Sequence, residues 1–230
     1  ELRVRAELLD DQKDRVDKGT MENSMALGDN IPNNKSGDAV ARWKPESGDA
    51  VAKWKPESGK NPAELGLFLE GDILLPPGDM ARGYSLTHPA LRWPEGIVPY
   101  ELSPTFSDKE LALINDAIKH FHKLTCVRWV PRTEDDDDYV AFENNKTGCG
   151  SFVGRIGGNQ TLNLESPGCL YHRGVPVHEM MHALGFLHEQ NRWDRDQYLT
   201  VHYENVQKGK ENYFRVGKQE DQDGLGVSYD

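Results

Sequence analysis

Two histidines four residues apart, His178 and His182, carry the clearest chemical signal in this 230-residue chain. On a helix, residues four apart lie one above the other, so both ring nitrogens face one point in space. Such a pair is a common clamp for a zinc ion. Glu179 follows the first histidine directly and points to one side, where its carboxylate could accept a proton from an attacking water without binding the metal. The spacing therefore predicts a catalytic zinc site with Glu179 as its general base.

A third histidine, His188, completes the predicted ligand set. If the helix continued, the six residues after His182 would place His188 on a different face. Gly185 lies between them, and glycine often ends a helix in the left-handed conformation, which lets the chain return His188 towards the metal. Three protein ligands leave one coordination position for water, as in catalytic rather than structural zinc sites. We therefore expect Zn²⁺ as the cofactor.

The alternative is an ordinary helix that carries the short pattern His-Glu-x-x-His by chance. The glycine and the third histidine extend that pattern to metzincin spacing, which is much more demanding. The longer pattern favours the catalytic site.

Residues 178–196, HEMMHALGFLHEQNRWDRD, resemble the signature of the astacin family of metzincin metalloendopeptidases. Three other segments resemble successive parts of an astacin catalytic domain, in order: RWPEGIVPYEL, TCVRWVPR and GCGSFVGRIGGNQTLNLESPGCLYHRG. The resemblance implies an α+β fold whose upper subdomain packs a twisted sheet on two long helices. It implies zinc-dependent cleavage of peptide bonds in protein or peptide substrates. It further implies that Glu189 contacts the new amino terminus once a pro-segment is removed.

The segment LFLEGDI, residues 67–73, resembles the astacin pro-segment motif whose aspartate takes the fourth zinc position; here that residue is Asp72. A carboxylate in that position displaces the attacking water, so the resemblance implies a latent pro-enzyme. We expect residues 1–82 to form the pro-segment and residues 83–230 the amino-terminal portion of the peptidase domain. Arg82 is the expected cleavage site for an activating trypsin-like protease, and Arg92 is a weaker candidate. An acidic turn residue after glycine is the alternative for Asp72.

The three cysteines bear on the compartment and on the extent of the chain. By the family resemblance Cys149 pairs with Cys169, whereas Cys126 pairs with a cysteine near the end of the catalytic domain, which this sequence lacks. The family's methionine turn is also missing after GVSYD at residues 226–230. We therefore expect a pro-enzyme truncated before that turn, with an inactive secreted binding or latent fragment as the alternative. Reduced thiols in a cytosolic protein are the alternative to the disulfide.

Composition and modification signals favour an extracellular protein. The net charge of -11 argues against electrostatic binding of nucleic acid. No apolar stretch approaches the roughly 20 residues of a membrane span. Asn34, Asn145 and Asn159 each begin an acceptor sequon for N-glycosylation. Together with the resemblance, these marks predict secretion.

The first sixty residues are polar and low in aliphatic side chains, which predicts a largely extended or disordered segment. They contain a tandem repeat, SGDAVARWKPE at residues 36–46 and SGDAVAKWKPE at residues 47–57. We interpret it as a duplication in a tolerant linker; docking of Trp43 and Trp54 onto the catalytic cleft is the alternative. Farther on, Ser107 and Glu110 form a capping-box pattern at a helix start. Alternating and apolar runs predict strands near residues 127–130, 139–142, 151–155 and 160–164, before a zinc-binding helix that starts near Gly174.

Overall fold

A computed structural model of the protein describes residues 49–66, 68–75, 89–222 and 224–229. The α-helices among them are α1 (Asp49–Ala52), α2 (Asp108–Leu124) and α3 (Gly174–Ala183). The strands are β1 (Ile73–Leu74), β2 (Ile97–Leu102), β3 (Arg128–Pro131), β4 (Tyr139–Glu143), β5 (Cys149–Phe152) and β6 (Asn159–Leu164). Short 3-10 helices follow α3 from residue 189 to residue 221.

All six strands form one sheet in the order β1-β5-β6-β4-β2-β3. Only the β5–β6 pair is antiparallel among these neighbours, and the other pairs are parallel. The central strand β4 buries residues 139–142 on both faces, as a mostly apolar strand in a parallel arrangement does. The α+β fold class predicted from the sequence is therefore confirmed.

Helix α2 begins as the capping box predicts. The backbone N–H of Ser107 donates to Glu110 Oε2 at 2.7 Å, so a donor at the helix start is satisfied locally. Its buried stripe packs into the core and consists of Ile114, Ala117, Ile118 and Phe121. The predicted helix is confirmed.

Helix α3 is held at its carboxyl end by contacts from two other segments. The indole Nε1–H of Trp93 donates to the carbonyl of Ala183 at 2.8 Å. The backbone N–H of Gly154 donates to the carbonyl of His182 at 2.9 Å. A disulfide between Cys149 and Cys169 joins β5 to the short 3-10 helix that precedes α3. These bonds fix the helix that carries the candidate ligands.

The structure differs from the sequence-based expectations in three places. Helix α3 has 10 residues against 17 in α2, so within the described residues α2 alone is a long helix. Two ligand positions four apart need no more than the length of α3. The strand expected at residues 151–155 is Cys149–Phe152, because Gly154 leaves the sheet to bond α3. Residues 49–65 form α1 and two 3-10 helices rather than an extended linker.

Several sequence predictions lie outside the described residues. They are the first repeat copy at residues 36–46, the cleavage site at Arg82 and the sequon at Asn34.

Among the described helices, none combines the length and the apolar character that crossing a bilayer would need.

The bond between Trp93 and Ala183 can be tested with a matched pair of tryptophan variants. Trp93→Phe leaves the Ala183 carbonyl without this buried donor, whereas the buried Trp129 Nε1 has no hydrogen-bond partner within the described residues. We expect Trp93→Phe to lower the free energy of unfolding by about 1 to 3 kcal/mol more than Trp129→Phe does. Urea unfolding followed by circular dichroism measures both. Equal losses would contradict a stabilising role for the bond.

Candidate metal centre

Three histidine side chains and one carboxylate converge beside α3. His178 Nε2 lies 3.0 Å from His182 Nε2 and 3.3 Å from His188 Nε2. Asp72 Oδ2 lies 2.9 Å from His178 Nε2, 3.1 Å from His188 Nε2 and 3.7 Å from His182 Nε2. The structure thus brings together the residues that the sequence singled out for one metal ion.

The end of α3 positions the three imidazoles. His178 and His182 lie one turn apart on α3, and the helix ends at Ala183. Gly185 then adopts a φ of 104°, in the left-handed region that favours glycine, and its N–H donates to the His182 carbonyl at 2.8 Å. After this turn the chain brings His188 back against the first two histidines.

Asp72 reaches the centre from the amino-terminal segment. It immediately precedes β1, which pairs in parallel with β5 at the edge of the sheet. The carbonyl of Asp72 accepts a hydrogen bond from the N–H of Ser151 at 2.9 Å. Its side chain is almost completely buried, with 2% of the residue exposed. Strand pairing therefore holds this carboxylate in place against the histidines.

Two further contacts orient the ring nitrogens. His182 Nδ1 lies 2.7 Å from the carbonyl oxygen of Phe186, which can only accept, so this nitrogen carries the proton and Nε2 is left as a ligand. His188 Nδ1 lies 2.9 Å from Glu70 Oε2, which orients the third ring in the same way. Sequence reasoning missed Glu70. The available signal was a second carboxylate two residues before Asp72, on the other side of Gly71.

Charge at the centre is set by burial and by the two carboxylates. Burial alone would raise the pKa of Asp72, but the charge of His188 and the hydrogen bonds of the three histidines hold it well below its usual range. Burial opposes a charge on His188 as well, yet Asp72 and Glu70 raise its pKa to about 10. Burial lowers the pKa of His178 to about 4, against its hydrogen bond to Asp72. Because a metal ion binds neutral imidazole, protons compete with it at His188.

Glu179 lies next to the first ligand and is completely buried, with 0% of the residue exposed. Neither of its carboxylate oxygens has a hydrogen-bond partner within the described residues. Burial and the negative charge of Asp72 raise the pKa of Glu179 well above its ordinary value. A buried carboxyl group with a raised pKa is suited to accept and return a proton near neutral pH.

The geometry fits a zinc ion. With Zn–N distances of ~2.0–2.1 Å, the corners of a tetrahedral site lie ~3.3 Å apart. The distances between ligand atoms given above range from 2.9 to 3.7 Å, and all four atoms lie within 4.8 Å of one another. Three imidazole nitrogens and a carboxylate oxygen are ligands that zinc prefers. The unpartnered carboxylate of Glu179 beside them is a further sign of a site built for chemistry.

The remaining predicted site residues lie away from this cluster. Glu189 Oε1 accepts a hydrogen bond from Arg192 Nη1 at 2.9 Å, so its carboxylate is engaged in this structure. Asn145 and Asn159 are exposed, as glycosylated asparagines must be. Cys126 is exposed and is not part of a disulfide.

Comparisons with known proteins identify the class of this chain. Residues 85–230 match the family model described as Astacin, a family of peptidases. The chain belongs to the astacin family. The family is one of zinc metalloproteinases, so zinc is the metal that the histidine cluster is expected to hold.

Two curated relatives show the extent of the similarity. The zinc metalloproteinase nas-14 of Caenorhabditis elegans is 42% identical over 146 residues, which cover 63% of this chain and 29% of the relative. Embryonic protein UVS.2 of Xenopus laevis is 40% identical over 166 residues, which cover 70% of this chain and 30% of the relative. The chain therefore spans less than a third of the length of either relative.

A solved structure supports the fold. High choriolytic enzyme 1, a hatching enzyme zinc-protease from the medaka fish Oryzias latipes, is 37% identical in sequence and superimposes with a TM-score of 0.55. The match covers 60% of this chain and 68% of that chain. The strands and helices from residue 85 onward thus have the fold of an astacin catalytic domain.

Zinc binding by the cluster can be measured directly. We expect the purified chain to bind one zinc ion, and His182→Ala to lower the affinity for zinc at least about tenfold because one of three imidazole ligands is lost. His202→Ala is the matched control, since His202 is exposed and bonds Glu204 rather than the cluster. Titration with a zinc indicator in the presence of a competing chelator reports the affinity. Unchanged affinity in His182→Ala would rule out the assigned ligand set.

Proposed function

We propose that this chain is the latent form of a secreted, zinc-dependent endopeptidase that hydrolyses peptide bonds in protein or peptide substrates. The observation that carries the proposal is the convergence of His178, His182 and His188 next to the buried carboxylate of Glu179. Membership of a family of zinc metalloproteinases supports the same reaction.

The chemistry is divided between the ligands and the base. His178, His182 and His188 would hold the zinc ion, which when bound acts as a Lewis acid for the scissile carbonyl and for the attacking water. Glu179 accepts the proton of that water as it attacks and then returns the proton to the leaving amine. Its burial and raised pKa support this role, because a carboxylate whose pKa is raised is a stronger base towards the attacking water.

Latency follows from the position of Asp72. Its Oδ2 atom lies within 3.7 Å of all three histidine Nε2 atoms, where it would fill the fourth ligand position that an attacking water needs. Glu70 adds a second carboxylate to His188 from the same segment. Activation therefore requires the withdrawal of Asp72, and cleavage after Arg82 by a trypsin-like protease would cut the covalent connection between its segment and the domain that carries α3.

Extracellular location is supported by two observations. The Cys149–Cys169 disulfide is typical of oxidising compartments. The sequons at Asn145 and Asn159 are exposed on the surface, where glycosylation in the secretory pathway requires them.

The catalytic role of Glu179 is tested by Glu179→Gln, which keeps the shape of the side chain and removes its basicity. After limited trypsin treatment, we expect the chain to hydrolyse peptides in a chelator-sensitive way and the variant to be at least about a hundredfold slower with zinc still bound. Glu204→Gln, at an exposed glutamate, is the control and keeps full activity. Full activity in Glu179→Gln would refute the assignment. Zinc-loaded parent protein that stays inactive would instead favour the alternative, a latent or binding fragment.

The aspartate switch is tested by Asp72→Ala with a readout that does not require turnover. A small hydroxamate binds zinc only where a coordination position is open, so we expect the variant to bind it at least about tenfold more tightly than the untreated parent. Glu57→Ala removes an exposed acidic residue from the same segment and serves as the control. Calorimetry measures the affinities. Equal hydroxamate affinity in Asp72→Ala and the untreated parent would show that Asp72 does not close the site.

A further inference from the structure

The described part of the second repeat copy, residues 49–57, is packed against the peptidase domain. Helix α1 places Val51 in the main hydrophobic core, where only 1% of the residue is exposed. Trp54 follows α1 and is 9% exposed. Burial of this kind is not expected of a tolerant linker, so the duplicated unit has a binding partner within the chain.

That partner is the surface formed by residues 168–171, which we call the Tyr171 surface. The ring centroids of Trp54 and Tyr171 are 4.4 Å apart, at an interplanar angle of 45°. A Cβ atom on Gly168 would lie 2.8 Å from Val51 Cγ1 and 3.1 Å from the Val51 carbonyl oxygen. Only glycine allows α1 to approach so closely. The contact thus depends on an aromatic anchor and on a position without a side chain.

The repeat unit and the residues that follow it hold the Trp54 anchor in place. The backbone N–H of Trp54 donates to the Val51 carbonyl at 3.0 Å, and Trp54 Nε1–H donates to the Lys60 carbonyl at 2.6 Å. The indole is therefore held in one orientation by bonds within the segment. None of these residues belongs to the metal centre described above.

We propose that the Tyr171 surface is a docking site for the eleven-residue unit and that it accepts either copy. The two copies differ only at Arg42 and Lys53, and Lys53 is exposed in the docked copy. The residues that make the contacts, Val51 and Trp54, have identical counterparts in Val40 and Trp43.

The residues that follow each copy support the proposal that the first copy can replace the second at the docking site. Ser58 and Gly59 follow the second copy just as Ser47 and Gly48 follow the first. Deletion of residues 47–57 would therefore place Lys60 six positions after Trp43. This is the spacing at which the Lys60 carbonyl now accepts the hydrogen bond from the Trp54 indole. When both copies are present, the second is the favoured occupant, because docking of the first must loop out eleven additional residues.

The consequence is a second attachment of the amino-terminal segment, separate from Asp72. Because each copy is tethered to the same domain, loss of one leaves the other at high effective concentration. The docking site is thus filled by an aromatic, helical-turn peptide of the Asp-Ala-Val-Ala-x-Trp-Lys-Pro type. This inference does not depend on catalysis.

Hydrogen exchange with mass spectrometry on the full chain tests the proposal. In the deletion of residues 47–57, we expect residues 38–46 to show the protection that residues 49–57 show in the parent, within about twofold. In Trp54→Ala, protection at residues 49–57 falls at least about tenfold and protection at residues 38–46 rises. Trp43→Ala is the matched control and leaves the protection of residues 49–57 unchanged. The double variant Trp43→Ala and Trp54→Ala loses protection in both copies.

Two results would overturn the proposal. One is a lack of hydrogen-exchange protection at residues 38–46 in the deletion variant, which would mean that the first copy does not fit the site. The other is unchanged protection of residues 49–57 in Trp54→Ala, which would mean that the indole is not the anchor. Zinc content is measured in every variant, so that loss of docking is distinguished from damage to the metal centre.

Discussion

The close approach of three imidazole nitrogens to one carboxylate oxygen is the constraint on which the rest of this structure depends. Such atoms can be held 2.9 to 3.7 Å apart only if each ring has a fixed orientation. Two successive turns of α3 supply two rings, and the bonds from Trp93 and Gly154 hold the end of that helix in place. The left-handed turn at Gly185 supplies the third. The sheet positions both parts of the site, because α3 packs against it and the strand that follows Asp72 pairs with its edge.

The amino-terminal segment is an integral part of the described structure. It adds the edge strand β1, places Asp72 and Glu70 on the histidines, and packs α1 into the core. Lys210 Nζ also donates to the Glu64 carbonyl at 2.9 Å, which connects the segment to the region after α3. The segment that carries Asp72 is therefore attached to the rest of the structure at several points besides the metal centre.

Local spacing accounts for what the sequence could predict. The zinc-binding helix, its glycine end and the capping box at Ser107 depend on residues within a few positions of each other, so the sequence could predict them. The contact of Val51 with Gly168 and the bond from Trp93 to Ala183 join residues distant in sequence, and no local pattern encodes such partners. The order of the strands in the sheet could not be predicted from the sequence for the same reason. The bond from Glu70 to His188 required knowing where the amino-terminal segment crosses the site.

A crystal structure of the untreated chain, with data collected at the zinc absorption edge, would show whether a single zinc ion joins the three histidines to Asp72. We predict one anomalous peak within about 2.0 to 2.2 Å of the Nε2 atoms of His178, His182 and His188 and of a carboxylate oxygen of Asp72. A zinc peak that lacks any of the three histidines would contradict the metal centre. A peak bound by the three histidines but not by Asp72 would contradict the latent state.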